Sequence, residues 1–214
     1  MEAAPAAVRD LLRRGVRGEV QETPKPSSPL FSSVHNILVG SNVEPCQAAV
    51  KRLRSMGYRT RLLSTRVEGE ARRVGEEMAR TAASMARSGK LPSATAAAAV
   101  AGGETTVKVK GRGMGGRNQE LVLAASLGIR GLKGVTILSV VTDGVDGPTD
   151  AAGAIADWTT TKRARAKRMD ASRYLANNDS YRFFKRLGDT IVTGPTGTNV
   201  NDIMMIIFDP ADAL

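Results

Sequence analysis

The chain has 214 residues, 42% of them hydrophobic, and a formal net charge of +10 at pH 7. Its single cysteine, Cys46, and single histidine, His35, exclude a disulfide framework, a multi-cysteine zinc site and a histidine cluster, and point to a reducing, cytoplasmic setting. No apolar run reaches the roughly 18 residues of a membrane span and no export signal is visible, while a positive excess spread along a chain only 4% aromatic leaves few stacking platforms for nucleic acid and argues against binding it as a primary role.

Taken in order, Val8, Leu11, Leu12 and Val16 lie at helical spacing and predict a short amphipathic helix. Pro24, Pro26 and Pro29 then forbid a regular element and mark a linker. Residues 36–42 (NILVGSN) predict a short buried strand, Pro45 to Met56 a helix, Tyr58 to Leu63 a second strand, and Gly69 to Ser88 a long helix closed by Gly89 and Pro92. In that helix Ala71, Val74, Met78, Ala82 and Met85 form an apolar stripe, with the methionines as core filler. Alternating strands and helices of this kind predict βαβ units with helices on the faces of a sheet.

Ala97 to Ala101 reads as a buried strand, and Thr105 to Lys110 alternates like a half-buried one. Next come Gly111, Gly113, Gly115 and Gly116, then Arg117 and a segment of helical composition, Gln119 to Leu127. Glycines so dense belong to a loop whose main chain comes close to something. Strand, glycine loop and helix start together offer N–H groups and a positive dipole end to an anion, with Arg117 beside them; a tight turn is the competing reading, because neither GxGxxG nor a P-loop lysine is present.

Residues 134–141 (GVTILSVV) give the clearest strand signal. Asp143, Asp146 and Asp150 follow it within eight residues. Carboxylates beyond the carboxyl end of a strand suit magnesium or a substrate hydroxyl, and equally suit Asx turns. Residues 151–189 read as helical, with the basic run 162–168 (KRARAKR) as a solvated face and Ser180 to Leu187 a short helix for which Asp179 or Ser180 is the cap. The chain closes on Thr190 to Thr193, a turn at 194–199, and a strand Asp202 to Phe208, a pair that reads as a hairpin.

The segments 101–107 (AGGETTV), 113–120 (GMGGRNQE), 142–144 (TDG), 146–153 (DGPTDAAG), 178–180 (NDS) and 197–200 (GTNV) with Thr193 resemble, in order, the class II glycerate kinases and their carboxyl-terminal MOFRL domain. Residues 18–19, 22–26 and 39–42 are similar to the end of that family's amino-terminal domain. The resemblance implies an α/β fold with parallel or mixed sheets and flanking helices, in which residues 1–93 are the end of a Rossmann-like domain and residues 94–214 a three-layer MOFRL-type domain. It implies ATP-dependent phosphorylation of D-glycerate to 2-phosphoglycerate, with magnesium, at a cleft between two domains.

By motif, Arg117 and Asp143 take the catalytic roles, the guanidinium holding phosphate or carboxylate and the aspartate a hydroxyl or magnesium. Gly113, Gly115, Gly116, Asn118, Glu120, Asn178, Asp179, Thr196, Gly197 and Asn199 are the candidates to bind substrate or phosphate, and Asp146 the candidate metal ligand. Family members are about twice as long, so the chain is expected to be a carboxyl-terminal portion, with a separate amino-terminal half as a candidate partner and a homo-oligomer also open. A hydroxypyruvate reductase and a non-catalytic module for small anions are the alternatives; the first would need a dinucleotide fingerprint that the chain lacks.

Overall fold

The computed structural model describes residues 4–87 and 96–210, so Gly89, Pro92 and the expected division at 93/94 lie outside the described residues. The chain divides into two compact units, Met1–Val39 and Gly40–Leu214.

In the first unit, α1 (Ala6–Val16) forms where the apolar spacing predicts it and buries none of its residues. A 3-10 turn, Pro29–Phe31, follows, with the Ser28 hydroxyl accepting the Leu30 N–H. The strand expected at 36–42 does not form. Ile37, Leu38 and Val39 are exposed, and a strand needs a partner for its backbone ladder, which no described residue supplies here.

The second unit is built on one six-stranded sheet in the order β1-β2-β6-β3-β4-β5. Its strands are β1 (Arg59–Glu70), β2 (Ala97–Thr106), β3 (Val135–Val141), β4 (Gly153–Asp157), β5 (Thr190–Ile191) and β6 (Asp202–Phe208). Only β1 and β2 are parallel, joined through α3 (Ala71–Arg87) as a βαβ crossover; the other pairings are antiparallel. The sheet thus draws strands from both sides of position 93. Two further sequence expectations need correction. Residues 151–157 are a strand and its approach rather than a helix, because small Ala152, Gly153 and Ala154 fit tightly beside β3. The expected hairpin is absent: β5 pairs with β4, while β6 inserts between β2 and β3, where its apolar side chains face both cores.

α2 (Val43–Ser55) covers one sheet face, placing Cys46, Val50 and Leu53 on Ala98 and Val100. The opposite face carries α3 and α4 (Arg117–Gly128), with α5 (Thr160–Ala166), α6 (Ala171–Ala176) and α7 (Ser180–Leu187) contributing Ala164, Ala171, Phe183 and Phe184 to the same core. Every residue of α4 from Asn118 to Ser126 is buried, so this helix is the centre of that layer rather than a surface element. Lys162, Arg165, Lys167 and Arg168 are exposed, and Arg163 pairs with Asp189 at 2.7 Å. Among the described residues, no helix is long and apolar enough to cross a membrane.

Candidate functional site

Arg117 is the first residue of α4, behind an extended Gly116. Its guanidinium grips Asp202 in a fork, with Nε 2.7 Å from Oδ2 and Nη2 2.8 Å from Oδ1. The remaining nitrogen, Nη1, faces Glu104 at 3.4 Å. Asp202 opens β6 and is fully buried, paired in register with Gly103 on β2 and Val141 on β3. The bonds from Asp202 raise the Arg117 pKa and keep the guanidinium charged; burial pushes the Asp202 carboxyl above its ordinary value, with the guanidinium pulling the other way. The sequence reading missed Asp202. Its signal was there: it opens a run of six apolar residues at the two-residue spacing of Met204 and Ile206, and a carboxylate at such a position demands a partner.

Asp143 follows β3 at the same end of the sheet. Its Oδ1 accepts the Val145 N–H at 2.9 Å, Oδ2 accepts the Asn199 amide at 3.0 Å, and its carbonyl accepts the Thr196 N–H at 3.1 Å. Beside it the Thr142 hydroxyl donates to the Asn201 carbonyl and accepts the Val200 N–H, both at 2.8 Å. Arg117, through Asp202, and Asp143 with Thr196 and Asn199 therefore lie at the same end of the sheet, where Asp202 pairs with Val141 and Thr142 bonds residues 200 and 201. Gly197 lies in the same turn with a left-handed backbone.

The glycine loop has a different occupation from the one its composition suggests. Asn178 Oδ1 accepts the N–H groups of Lys110 and Gly111, Asn177 takes those of Arg112 and Gly113, and Asp179 Oδ1 takes that of Met114. The glycines permit this approach, since a Cβ on Gly111 or Gly113 would collide with the 177–179 backbone. Asn178 also donates to the buried carboxylate of Glu120, which pairs with Arg72 at 2.7 Å. Asn178, Asp179, Gly113 and Glu120 thus form a brace between the loop, α4 and the α6–α7 turn. Asp179 stands at the cap position of α7 while its side chain serves Met114.

Asp146 is 1% exposed, and its carboxylate caps α4. Oδ1 accepts the backbone and side-chain N–H groups of Asn118 at 3.1 and 3.2 Å, and Oδ2 those of Gln119 at 2.9 and 3.0 Å. Asn118 in turn accepts the Ser139 hydroxyl. Burial raises the Asp146 pKa against the pull of these donors. The expectation of a metal ligand here meets a geometric obstacle, because both oxygens are spent on four donors. Among the described residues no group of three or more His, Cys, Asp or Glu could hold a metal. Asp143, half-buried with one donor on each oxygen, keeps lone pairs that would suit one contact to an oxygen-ligated cation. Gly116→Ala would drive a Cβ into the Asp146 carboxyl, and the denaturation midpoint should fall by the equivalent of about 1–3 kcal/mol.

Two amides escape both braces. Among the described residues the N–H groups of Gly115 and Gly116 have no acceptor. They line a groove of about 460 Å³ together with Gly113, Arg117, Pro148 and Thr105, whose buried hydroxyl is also without a partner.

Residues 97–202 match the model of the MOFRL family. The chain is 42% identical to the glycerate 2-kinase of Pyrococcus horikoshii over 207 residues, which cover 96% of this chain and 46% of that protein. To the D-glycerate 2-kinase of Thermotoga maritima it is 43% identical over 192 residues, covering 88% and 44%. A crystal structure of glycerate kinase from Thermotoga maritima, 39% identical, superposes with a TM-score of 0.81 over 94% of this chain and 49% of that one. The chain spans about half the length of the curated relatives it matches.

Proposed function

Because residues 97–202 belong to the MOFRL family, we propose that the chain supplies the carboxyl-terminal side of a glycerate 2-kinase site, acting on ATP and D-glycerate. The observation that carries this reading is the placement of Arg117 and Asp143 at one end of the sheet, linked through Asp202, Asn201 and Thr142. In phosphoryl transfer the protein's work is alignment and neutralisation of charge. The O2 hydroxyl of D-glycerate attacks the γ-phosphorus, the bond to ADP breaks, and the hydroxyl proton passes to the Asp143 carboxylate. Nη1 of Arg117, outside the fork with Asp202, meets the phosphoryl or glycerate carboxylate, and the free amides of Gly115 and Gly116 meet a phosphate in the adjoining groove. Magnesium, when bound, neutralises the nucleotide phosphates, with Asp143 the carboxylate of this chain that fits it. The remaining face of the cleft comes from an amino-terminal half, matching the half of the relatives' length that this chain does not span.

Formation of ADP from ATP, magnesium and D-glycerate tests this, on the chain alone and with the amino-terminal half of a relative supplied separately. Turnover that appears only with the added half supports a shared cleft, and turnover by the chain alone places the donor site within these residues. NADH oxidation by hydroxypyruvate, with no ADP formed, would replace the kinase by a reductase; silence in every assay would leave an anion-binding module.

A further inference from the structure

We propose that Asp202 is a positioning residue that aims Arg117, holding one edge of the guanidinium so that Nη1, which faces only the half-exposed Glu104 at 3.4 Å, is the nitrogen presented to the ligand. The proposal rests on the reading of Arg117 as the group that meets the ligand's charge. A free arginine side chain samples many rotamers, and fixing its planar fork beforehand removes that cost from binding and from the transition state. The fork to Asp202 does this with two short bonds from Nε and Nη2 to a carboxylate with no exposed surface.

The carboxylate is itself anchored. Asp202 is the first ladder residue of β6, flanked by Gly103 on one side and Val141 on the other. The Asn42 side-chain amide, at the start of α2, donates to the Asp202 carbonyl at 3.0 Å and to that of Val200 at 2.7 Å. Asn42 reaches them because Gly102 has no side chain; a Cβ there would strike the Asn42 amide and the Cys46 sulfur. Two strands and one helix start thus fix the Asp202 backbone, and the short aspartate side chain passes that order to Arg117. Sequence places the two residues 85 positions apart, so no local pattern links them.

The test uses the full 214-residue chain, with the amino-terminal half of a relative supplied for the turnover readings, as wild type, Asp202→Asn, Asp202→Glu, Arg117→Lys and the Asp202→Asn/Arg117→Lys double variant. The Nε–H resonance of Arg117, assigned by its loss in Arg117→Lys, reports the fork without requiring turnover, and titration with D-glycerate and with inorganic pyrophosphate reports binding. In Asp202→Asn the resonance should move, kcat should fall about 10- to 100-fold with a KM change within about 3-fold, and the same substitution in the Arg117→Lys background should cost less than about 2-fold more. Asp202→Glu keeps the charge where Asn prevents folding, and it should show the same shift because the longer side chain cannot meet the fork in register. An Nε resonance indifferent to both Asp202 variants overturns the proposal, as do penalties that multiply in the double variant. A wild-type chain that neither turns over nor binds either ligand with the amino-terminal half present refutes the kinase reading instead, and the resonance alone then decides the role of Asp202.

Discussion

Arg117→Ala is expected to destabilise the folded chain by about 3–5 kcal/mol, the usual cost of removing one partner from a buried ion pair, in addition to abolishing any activity that depends on the guanidinium. Asp202 has no exposure, and its other charged influence is the Asp146 carboxylate, which repels it. With Arg117 gone, burial and Asp146 both push the Asp202 pKa further up. An acid whose folded pKa exceeds its unfolded one binds more protons when folded. The variant therefore loses stability as pH rises from the ordinary aspartate range through the raised value. Thermal unfolding should show a deficit against wild type that is smaller near pH 5 than near pH 8. A deficit independent of pH would mean that water or another cation reaches Asp202. Activity lost with no change in stability would give Arg117 a purely ligand-facing role.

Asp146→Asn sets a cap against a metal ligand. An amide has one oxygen, and whichever way it turns, its NH2 group faces two donors, from Asn118 or from Gln119. Loss of desolvated charge works in the variant's favour, since burial disfavours this carboxylate. The unpaired donors outweigh it, because each bond to a charged acceptor carries about 1.5–3 kcal/mol. Chemical denaturation should register a net loss of about 2–3 kcal/mol, while the magnesium concentration for half-maximal turnover stays within about 2-fold of wild type, Asp143 being the better match for an oxygen-ligated ion. A large rise in that concentration, with stability unchanged, would restore Asp146 as the metal ligand.

Where sequence carries local information the fold was legible in it. The β-branched run of β3, the stripe on α3, the start of α4 at Arg117 and the bounds of α7 follow from spacing and composition. The errors have a common physical origin in pairing between distant residues. Residues 36–42 have strand composition without a ladder to join. β4 is made of small residues whose fit beside β3 no propensity reports. β6 looks like the second arm of a hairpin, yet its neighbours are strands begun about 100 and 65 residues earlier. The site divides in the same way. The glycine loop, Arg117 and Asp143 stand out in sequence, whereas the acceptors that occupy the loop, the cap formed by Asp146 and the fork on Asp202 exist only once the chain is folded.

The brace between the glycine loop and residues 177–179 also orders events in time. The amides of residues 110–114 find their acceptors 64 to 68 positions downstream, so during synthesis the loop emerges long before its partners exist. Until Asn177, Asn178 and Asp179 arrive, four glycines and their neighbours remain conformationally free. Closing so long a loop costs entropy that local contacts do not return. The segment that carries Arg117 is therefore completed late. The lower parts of the sheet can assemble around β1, α3 and β2 first, and the chemistry-bearing end becomes rigid when the last third of the polypeptide docks.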